Sequence, residues 1–208
     1  MMEKIKYIVG IDEVGRGPIA GPVAVSAFLL YAKEVEKLIA RFREETGLPI
    51  RDSKRLTKKQ RQRWFDYLKK AKVDGVCDFV VSLVSSEMID KFGIVPSIRK
   101  ALNNSLERIT KDKNINQFLI YLDGGLIAEE KYLHQETLIK GDELIPVISL
   151  ASIVAKVSRD KVMGEYAKNY KEYNFENNVG YGTRAHYEAI KKYGLCPIHR
   201  KTFCKGFN

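Results

Sequence analysis

Residues 8–18 read Ile-Val-Gly-Ile-Asp-Glu-Val-Gly-Arg-Gly-Pro, an apolar run that leads directly into two adjacent carboxylates and a glycine-flanked arginine. An apolar run followed by Gly and Pro is typical of a β-strand that ends in a tight loop. At the end of a buried strand, Asp12 and Glu13 would repel each other unless a positive charge lies nearby. Mg²⁺ suits such a place, because it binds carboxylate oxygens and keeps part of its water shell for a phosphate. A lone Asp-Glu pair is more often two solvated turn residues, so the rest of the chain must decide.

Composition and charge narrow the class of protein. The chain has 208 residues, with 45% hydrophobic and 30% charged residues, which is typical of one soluble globular domain. A net charge of +10 favours a polyanionic partner. The longest apolar runs, residues 22–32 and 144–157, are too short or too interrupted to span a bilayer, and no signal peptide is visible. Three cysteines without disulfide spacing fit a reducing cytosol, so we expect a cytoplasmic protein without membrane contact.

The spacing of apolar residues predicts an α/β protein whose first two strands form a hairpin. Strands are expected over residues 4–11, 22–31, 76–84, 117–122 and 144–148. Helices are expected over residues 34–43, near 87–91, over 149–170 and, capped by Thr183, up to Tyr193. Two more are expected from their start signals: one begins at a capping box formed by Thr57 and Gln60, and one begins with Pro96 as its first helical residue.

Two further acids are placed where a site is expected. The strand at 117–122 ends in Asp123, and open α/β sheets bind ligands at the carboxyl ends of their strands. On the helix at 149–170 a polar stripe of Ser149, Ser152, Lys156 and Asp160 recurs on one face. Either this stripe is aimed at a site or it faces solvent. In the same way, the basic helix after Thr57 is either a solvated face or a surface that follows phosphates.

Four acids therefore stand out as a candidate site: Asp12, Glu13, Asp123 and Asp160. Carboxylates without matching His or Cys favour Mg²⁺ or Mn²⁺ over zinc. Two such ions about 3.5–4 Å apart support in-line attack of water on a phosphodiester. The pattern predicts a metal-dependent phosphodiester hydrolase.

Five segments together carry a resemblance to a known family. They are GIDEVGRGPIAGPVAV, DSKRLT, YLDGG, SLASIVAKVSRD and GYGTRAH, at residues 10–25, 52–57, 121–125, 149–160 and 180–186. In this order they resemble bacterial ribonuclease HII, a type 2 ribonuclease H. The resemblance is weakest over residues 33–48 and 74–115. It implies a single catalytic domain over residues 1–208 with a ribonuclease H-like fold, a mixed five-stranded sheet flanked by helices with a helical C-terminal portion.

The resemblance also implies an activity. The family's enzymes are endonucleases that cut the RNA strand of RNA/DNA hybrids and cut 5′ to single ribonucleotides embedded in duplex DNA, leaving a 3′-hydroxyl and a 5′-phosphate. The family's four catalytic metal ligands are expected at the same four acids, with two Mn²⁺ or Mg²⁺ ions. We further expect a monomer that acts on RNA/DNA hybrid and ribonucleotide-containing duplex DNA.

Substrate choice requires a group that senses the 2′-hydroxyl, which distinguishes RNA from DNA. In the family a Gly-Arg-Gly loop does this partly through its backbone, and glycine permits such close approach. A tyrosine packs on the sugar of the next deoxynucleotide, and two lysines hold phosphates. By this resemblance the loop is Gly15, Arg16 and Gly17, the tyrosine is Tyr181, and the phosphate-binding lysines are Lys54 and Lys156.

Three competing interpretations are weaker. A nucleotide-binding loop at Gly15-x-Gly17 is disfavoured because the spacing is G-x-G-x-x-x-G, not G-x-G-x-x-G, and Pro18 interrupts it. A non-catalytic basic nucleic-acid-binding module would suit the charge, but it needs no acidic cluster, and buried charges without a partner cost several kcal/mol. A type 1 ribonuclease H is disfavoured by the adjacent Asp12-Glu13 pair and the Gly-Arg-Gly loop.

Overall fold

A five-stranded mixed sheet forms the centre of the molecule, whose computed structural model describes residues 4–47 and 56–206. The strands are β1 (Tyr7–Val14), β2 (Val23–Tyr31), β3 (Cys77–Val84), β4 (Phe118–Asp123) and β5 (Gln135–Leu138), in the order β3-β2-β1-β4-β5. β2 pairs antiparallel with β1 and β3, whereas β4 pairs parallel with β1 and β5. The predicted opening hairpin and the mixed five-stranded sheet are confirmed.

Helices cover both faces of the sheet and form the C-terminal portion. They are α1 (Val35–Thr46), α2 (Lys58–Val73), α3 (Ser86–Phe92), α4 (Ile94–Thr110), α5 (Gly141–Leu144), α6 (Pro146–Asn169), α7 (Phe175–Asn178) and α8 (Arg184–Tyr193). One core cluster lies between the sheet and α4, and a second lies between the sheet and α1, α2 and α6. A third cluster joins the end of α6 to the C-terminal helices. Throughout the described residues, no helix combines the length and apolarity that a membrane crossing needs.

The predicted strand over residues 144–148 is wrong. Residues 141–144 form α5, and α6 begins at Pro146, where a fixed φ favours the first helical position. The fifth strand is Gln135–Leu138, a short segment with two exposed polar residues and no apolar alternation. This segment becomes a strand through its pairing with β4, so its own sequence pattern does not predict a strand. Pro96 is also displaced by two positions, because α4 begins at Ile94.

Local signals predicted α2 correctly. The Thr57 side chain accepts a hydrogen bond from the Gln60 backbone, and the Gln60 side chain accepts one from the Thr57 backbone, which completes the predicted capping box. Lys54, by contrast, lies outside the described residues.

Gly10 allows α6 to cross β1 at close range. A Cβ atom at Gly10 would lie 2.2 Å from the carbonyl group of Val147, a distance that no side chain tolerates. The first turns of α6 therefore press against β1, and Ser149 and Ser152 become buried. The solvent-facing interpretation of the polar stripe is wrong for this half of the helix.

Candidate active site

The register between β1 and β4 brings two of the predicted acids side by side. Ile11 lies opposite Leu122 in this parallel pair, so Asp12 and Asp123 follow at neighbouring positions on strands about 4.8 Å apart. Because Ile11 and Leu122 belong to the core on one face, alternation directs both acids to the other face. That is the face that α6 covers.

Asp12 is 5% exposed, and its environment disfavours charge. Burial raises the pKa of its carboxyl well above the usual value; a hydrogen bond with Ser152 opposes this, and the charges of Asp123, Glu13 and Asp142 raise the pKa further. Asp12 Oδ1 also accepts a hydrogen bond of 2.8 Å from the Glu13 backbone.

Glu13 points toward the Gly-Arg-Gly loop. Burial raises the pKa of its carboxyl, and the charge of Arg16 opposes that rise. Arg16 Nη1 lies 3.6 Å from Glu13 Oε1, while the rest of the arginine side chain is largely exposed. The loop cation and the site carboxylate are thus already in contact.

The structure adds one acid that the sequence analysis missed. The Gly141 backbone N–H donates a 2.6 Å hydrogen bond to Asp123 Oδ1, which ties the start of α5 to the end of β4. This places Asp142, which is 3% exposed, close enough to Asp12 to raise its pKa. In the sequence Asp142 stands among charged and polar residues just before an incorrectly predicted strand, so only its unexpected burial distinguishes it.

Asp160 lies apart from this group. Its carboxylate accepts a 2.7 Å hydrogen bond from Lys156 Nζ, four residues earlier on α6. At 1.5 Å per residue, Asp160 lies about 12 Å along the helix axis beyond Ser152. The structure therefore gathers Asp12, Glu13 and Asp123 with Asp142, and leaves Asp160 in an ion pair with the predicted phosphate-binding Lys156.

The chemistry of these residues fits a hard divalent cation. All donors in the group are carboxylate oxygens, which Mg²⁺ and Mn²⁺ prefer, and their mutual repulsion favours a cation. Opposite Asp12 on β2, the buried Ser26 hydroxyl has no hydrogen-bond partner among the described residues. As the side chains stand, no three His, Cys, Asp or Glu residues within 4–47 and 56–206 are arranged to hold an ion. Asp123 and Glu13 instead engage Gly141 and Arg16.

The predicted substrate residues of the loop and Tyr181 lie together. A Cβ atom at Gly17 would lie 3.9 Å from Tyr181 Cε1, so the tyrosine ring stands beside the loop. Tyr181 is 45% exposed, which leaves its ring available. The Ile19 and Ala20 backbone N–H groups both donate to the Gly180 carbonyl, which joins the two segments directly.

A buried arginine on α6 supports this loop from below. Arg159 donates through Nε to the Pro22 carbonyl, and through its two Nη atoms to the Val179 and Ala20 carbonyls. Gly15 has a φ of +92°, and a Cβ there would lie 2.2 Å from Arg159 Nε. Glycine is therefore required at this position both by backbone conformation and by space.

A second buried arginine, Arg200, holds the loop from the C-terminal segment. Its Nε, Nη1 and Nη2 atoms donate to the carbonyls of Gly21, Arg16 and Gly15 at 3.0, 3.0 and 2.6 Å. Burial, and then the nearby charge of Arg159, lower the pKa of Arg200 to about 9. Local sequence pattern gives no sign of this role, because Arg200 is 179 to 185 positions away from the carbonyls that it contacts.

Two buried histidines position the Tyr181 backbone. The Cys196 N–H donates to His199 Nδ1, so the His199 proton resides on Nε2, which lies 3.0 Å from His186 Nε2. His186 then carries its proton on Nδ1 and donates to the Tyr181 carbonyl at 2.8 Å. Burial, and then repulsion from His186 when that ring is protonated, lower the pKa of His199 to about 4. Burial also lowers the pKa of His186, so both rings of the pair are neutral at pH 7.

Asp12 and Asp123, at the ends of adjacent parallel strands of this mixed sheet, fit a metal-dependent phosphodiester hydrolase. Residues 9–206 match the family Ribonuclease HII. Ribonuclease HII of Endomicrobium trichonymphae is 39% identical over 94% of this chain and 84% of that protein, and the Clostridioides difficile protein is 36% identical over 96% and 70%. The chain belongs to the ribonuclease HII family and is a ribonuclease H hydrolase, of a family that acts on nucleic acids.

Solved structures agree on the fold. Ribonuclease H2 from Pyrococcus horikoshii is 27% identical, with a TM-score of 0.66 over 94% of this chain and 93% of that one. Ribonuclease HII from Archaeoglobus fulgidus, solved in complex with PCNA, has a TM-score of 0.71 over 93% of each chain at 22% identity. Bst-RNase HIII in complex with Mn²⁺ has a TM-score of 0.62 over 97% of this chain and 65% of that one, at 16% identity.

Proposed function

We propose that the chain is an endonuclease that hydrolyses the RNA strand of RNA/DNA hybrids and cuts 5′ to single ribonucleotides embedded in duplex DNA. Water attacks the phosphorus, and the O3′ of the preceding nucleotide leaves, which gives a 3′-hydroxyl and a 5′-phosphate. One observation carries the proposal: the buried Asp12 and the half-buried acids Glu13 and Asp123 lie near a loop whose Gly17 backbone stands beside the exposed Tyr181 ring. The acids proposed to hydrolyse the phosphodiester and the loop proposed to recognise the ribose are thus neighbours.

We propose that Asp12, Glu13 and Asp123 hold two Mg²⁺ or Mn²⁺ ions, with Asp142 as the fourth acid in place of Asp160. When bound, such ions activate water and neutralise charge on phosphate oxygens. The protein's own contribution is orientation. Ser152 and the Glu13 backbone hydrogen-bond to the Asp12 carboxylate, and burial keeps bulk water from it. These contacts fix Asp12 before substrate arrives, which reduces the reorganisation that the reaction requires.

Ribose recognition is assigned to the loop backbone of residues 15–17 and to the Tyr181 ring. A 2′-hydroxyl can both donate to a carbonyl and accept from an N–H, so a backbone held in place suits it. Lys156, and Lys54 on the basis of the family resemblance, are assigned to phosphates. The proposal takes residues 1–208 as one catalytic domain that acts as a monomer in the cytoplasm.

Cleavage of duplex DNA that carries one ribonucleotide tests this proposal. The protein is incubated with 5′-labelled duplex in Mn²⁺, in Mg²⁺ and in chelator, and the products are sized. We expect one cut 5′ to the ribonucleotide with metal and none in chelator. Cleavage of uninterrupted hybrids alone would remove the roles of Arg16 and Tyr181 in junction recognition. Binding without cleavage under all conditions would favour the non-catalytic binding module.

A further inference from the structure

A basic cleft of about 800 Å³ separates α2 from the second half of α6. Its walls carry six cationic side chains from both sides: Lys58, Arg61, Lys69, Lys161, Lys168 and Lys171. Three acids, Asp160, Glu165 and Glu176, also line it, so cations outnumber anions by two to one. The cleft is distinct from the carboxylate group around Asp12.

Half of these cations remain available for a ligand. Lys69 and Lys168 form short ion pairs with Asp66 and Glu165, at 2.8 and 2.6 Å. Arg61 is also engaged, because it donates a hydrogen bond to the Leu56 carbonyl. Lys58, Lys161 and Lys171 are exposed, and none of them has a short ion pair to any acid of the described segments. A merely solvated basic helix would spread its charges outward, whereas here cations from α2 and from the α6 side line one cleft.

The polar stripe of α6 connects this cleft to the active site. Ser152 contacts Asp12 at one end of the stripe, and Asp160 forms part of the cleft wall. At 1.5 Å per residue, Lys161 and Lys168 lie about 14 and 24 Å beyond Ser152 along the helix axis. One strand of a duplex advances about 3.4 Å per nucleotide, so the cleft reaches phosphates about four to seven nucleotides from the scissile bond.

We propose that this cleft binds the phosphate backbone of one duplex arm, away from the cleavage site. The inference rests on the proposed function for the identity of the duplex. The ligand is a row of phosphates, because separated lysines on two facing walls match a repeating charge better than a single anion. The cleft adds affinity and orientation, while the loop at residues 15–17 supplies recognition of the ribose.

A matched pair of triple variants tests the cleft. Lys58→Ala, Lys161→Ala and Lys171→Ala remove three cleft cations, and Lys4→Ala, Lys6→Ala and Lys111→Ala remove three exposed cations at the opposite end of the sheet. Affinity for duplex with one central ribonucleotide is measured in chelator at several salt concentrations. The slope of log K against log salt should flatten by about 0.9 for each lost phosphate contact in the cleft variant. The control variant should keep the wild-type slope.

Arm length provides the second readout. With arms of about ten base pairs the cleft variant should bind roughly tenfold more weakly than wild type, and shortening one arm to about three base pairs should remove that difference. Equal slopes for both triple variants, or an effect independent of arm length, would overturn the cleft assignment. Wild-type cleavage with unchanged binding by the cleft variant would reject only the cleft. Absence of wild-type cleavage would instead reject the proposed nuclease activity.

Discussion

At the scale of single residues, the environment of Asp12 costs stability when its carboxyl group is charged. Burial and three neighbouring acids raise the pKa of its carboxyl. A carboxyl whose pKa is raised on folding binds protons more tightly in the native state than in the unfolded one. Its charged form therefore costs stability at neutral pH, and the cost disappears as the pH falls through the native pKa.

Asp12→Asn should therefore raise the melting temperature in chelator at pH 7, by about 2–4 °C for each kcal/mol of relieved repulsion. The gain should shrink as the pH is lowered, because protonated Asp12 no longer carries the charge. Asp66→Asn is the control, since the Asp66 carboxyl is exposed and Lys69 lowers its pKa. A melting temperature for Asp12→Asn below that of wild type would contradict the account.

Asp142 and Asp160 provide a direct comparison of two candidates for the fourth acid. Asp142→Asn should reduce metal affinity and cleavage by about 10- to 100-fold, because it removes a buried charge beside Asp12. Asp160→Asn should have a smaller effect, because it breaks a partly exposed ion pair with Lys156. Single-turnover cleavage across a Mn²⁺ titration measures both. A larger loss in Asp160→Asn would restore the assignment made from the sequence pattern.

At the scale of elements, short-range signals predicted best. The β1–β2 hairpin and the α2 capping box depend on residues close together in the sequence, and both predictions are confirmed. Gln135–Leu138 becomes a strand only through pairing with β4, so its own residues give no indication. The error at 144–148 has a separate cause, because a short apolar run is also compatible with the first turn of a buried helix, which begins here at Pro146.

The residues of the candidate site also differ in whether local sequence pattern predicts them. Asp12, Glu13 and Asp123 are predicted as site residues because they follow apolar runs, and the strand register places Asp12 and Asp123 together. The contacts of Arg159 and Arg200 with the loop depend on residues 137 to 185 positions away, which no local pattern encodes.

Arg200→Lys tests whether the C-terminal segment positions the loop. Lysine keeps the charge but cannot reach three carbonyls in the fixed geometry of a guanidinium. Each buried carbonyl left without a donor costs about 1–3 kcal/mol, so stability should fall. The kcat/KM ratio of single-ribonucleotide duplex to long hybrid should fall as well.

Arg159→Lys is the control variant. It should lower stability with a smaller change in this ratio, because Arg159 contacts neither the Gly15 carbonyl nor the Arg16 carbonyl. An unchanged ratio in Arg200→Lys would limit Arg200 to a structural role.

At the scale of the whole molecule, the acids of the sheet meet the C-terminal helical portion at the loop of residues 15–21. Strands β1 and β4 supply the carboxylates, and the C-terminal portion supplies Tyr181 and the buried groups that hold the loop. The chain as a whole carries a net charge of +10, and this excess positive charge attracts a polyanion toward the protein. In the proposed function, the cleavage chemistry and the recognition of the ribose are thus separated between two parts of one fold.

Single-turnover cleavage of a duplex with one ribonucleotide, by wild type and Asp12→Asn, tests the central claim most directly. Affinity for the same duplex is measured in parallel. We predict a metal-dependent cut 5′ to the ribonucleotide by wild type, and a loss of at least about 100-fold in Asp12→Asn with affinity nearly unchanged. Wild-type cleavage rates in Asp12→Asn would contradict the claim that the carboxylates of β1 and β4 form the active site.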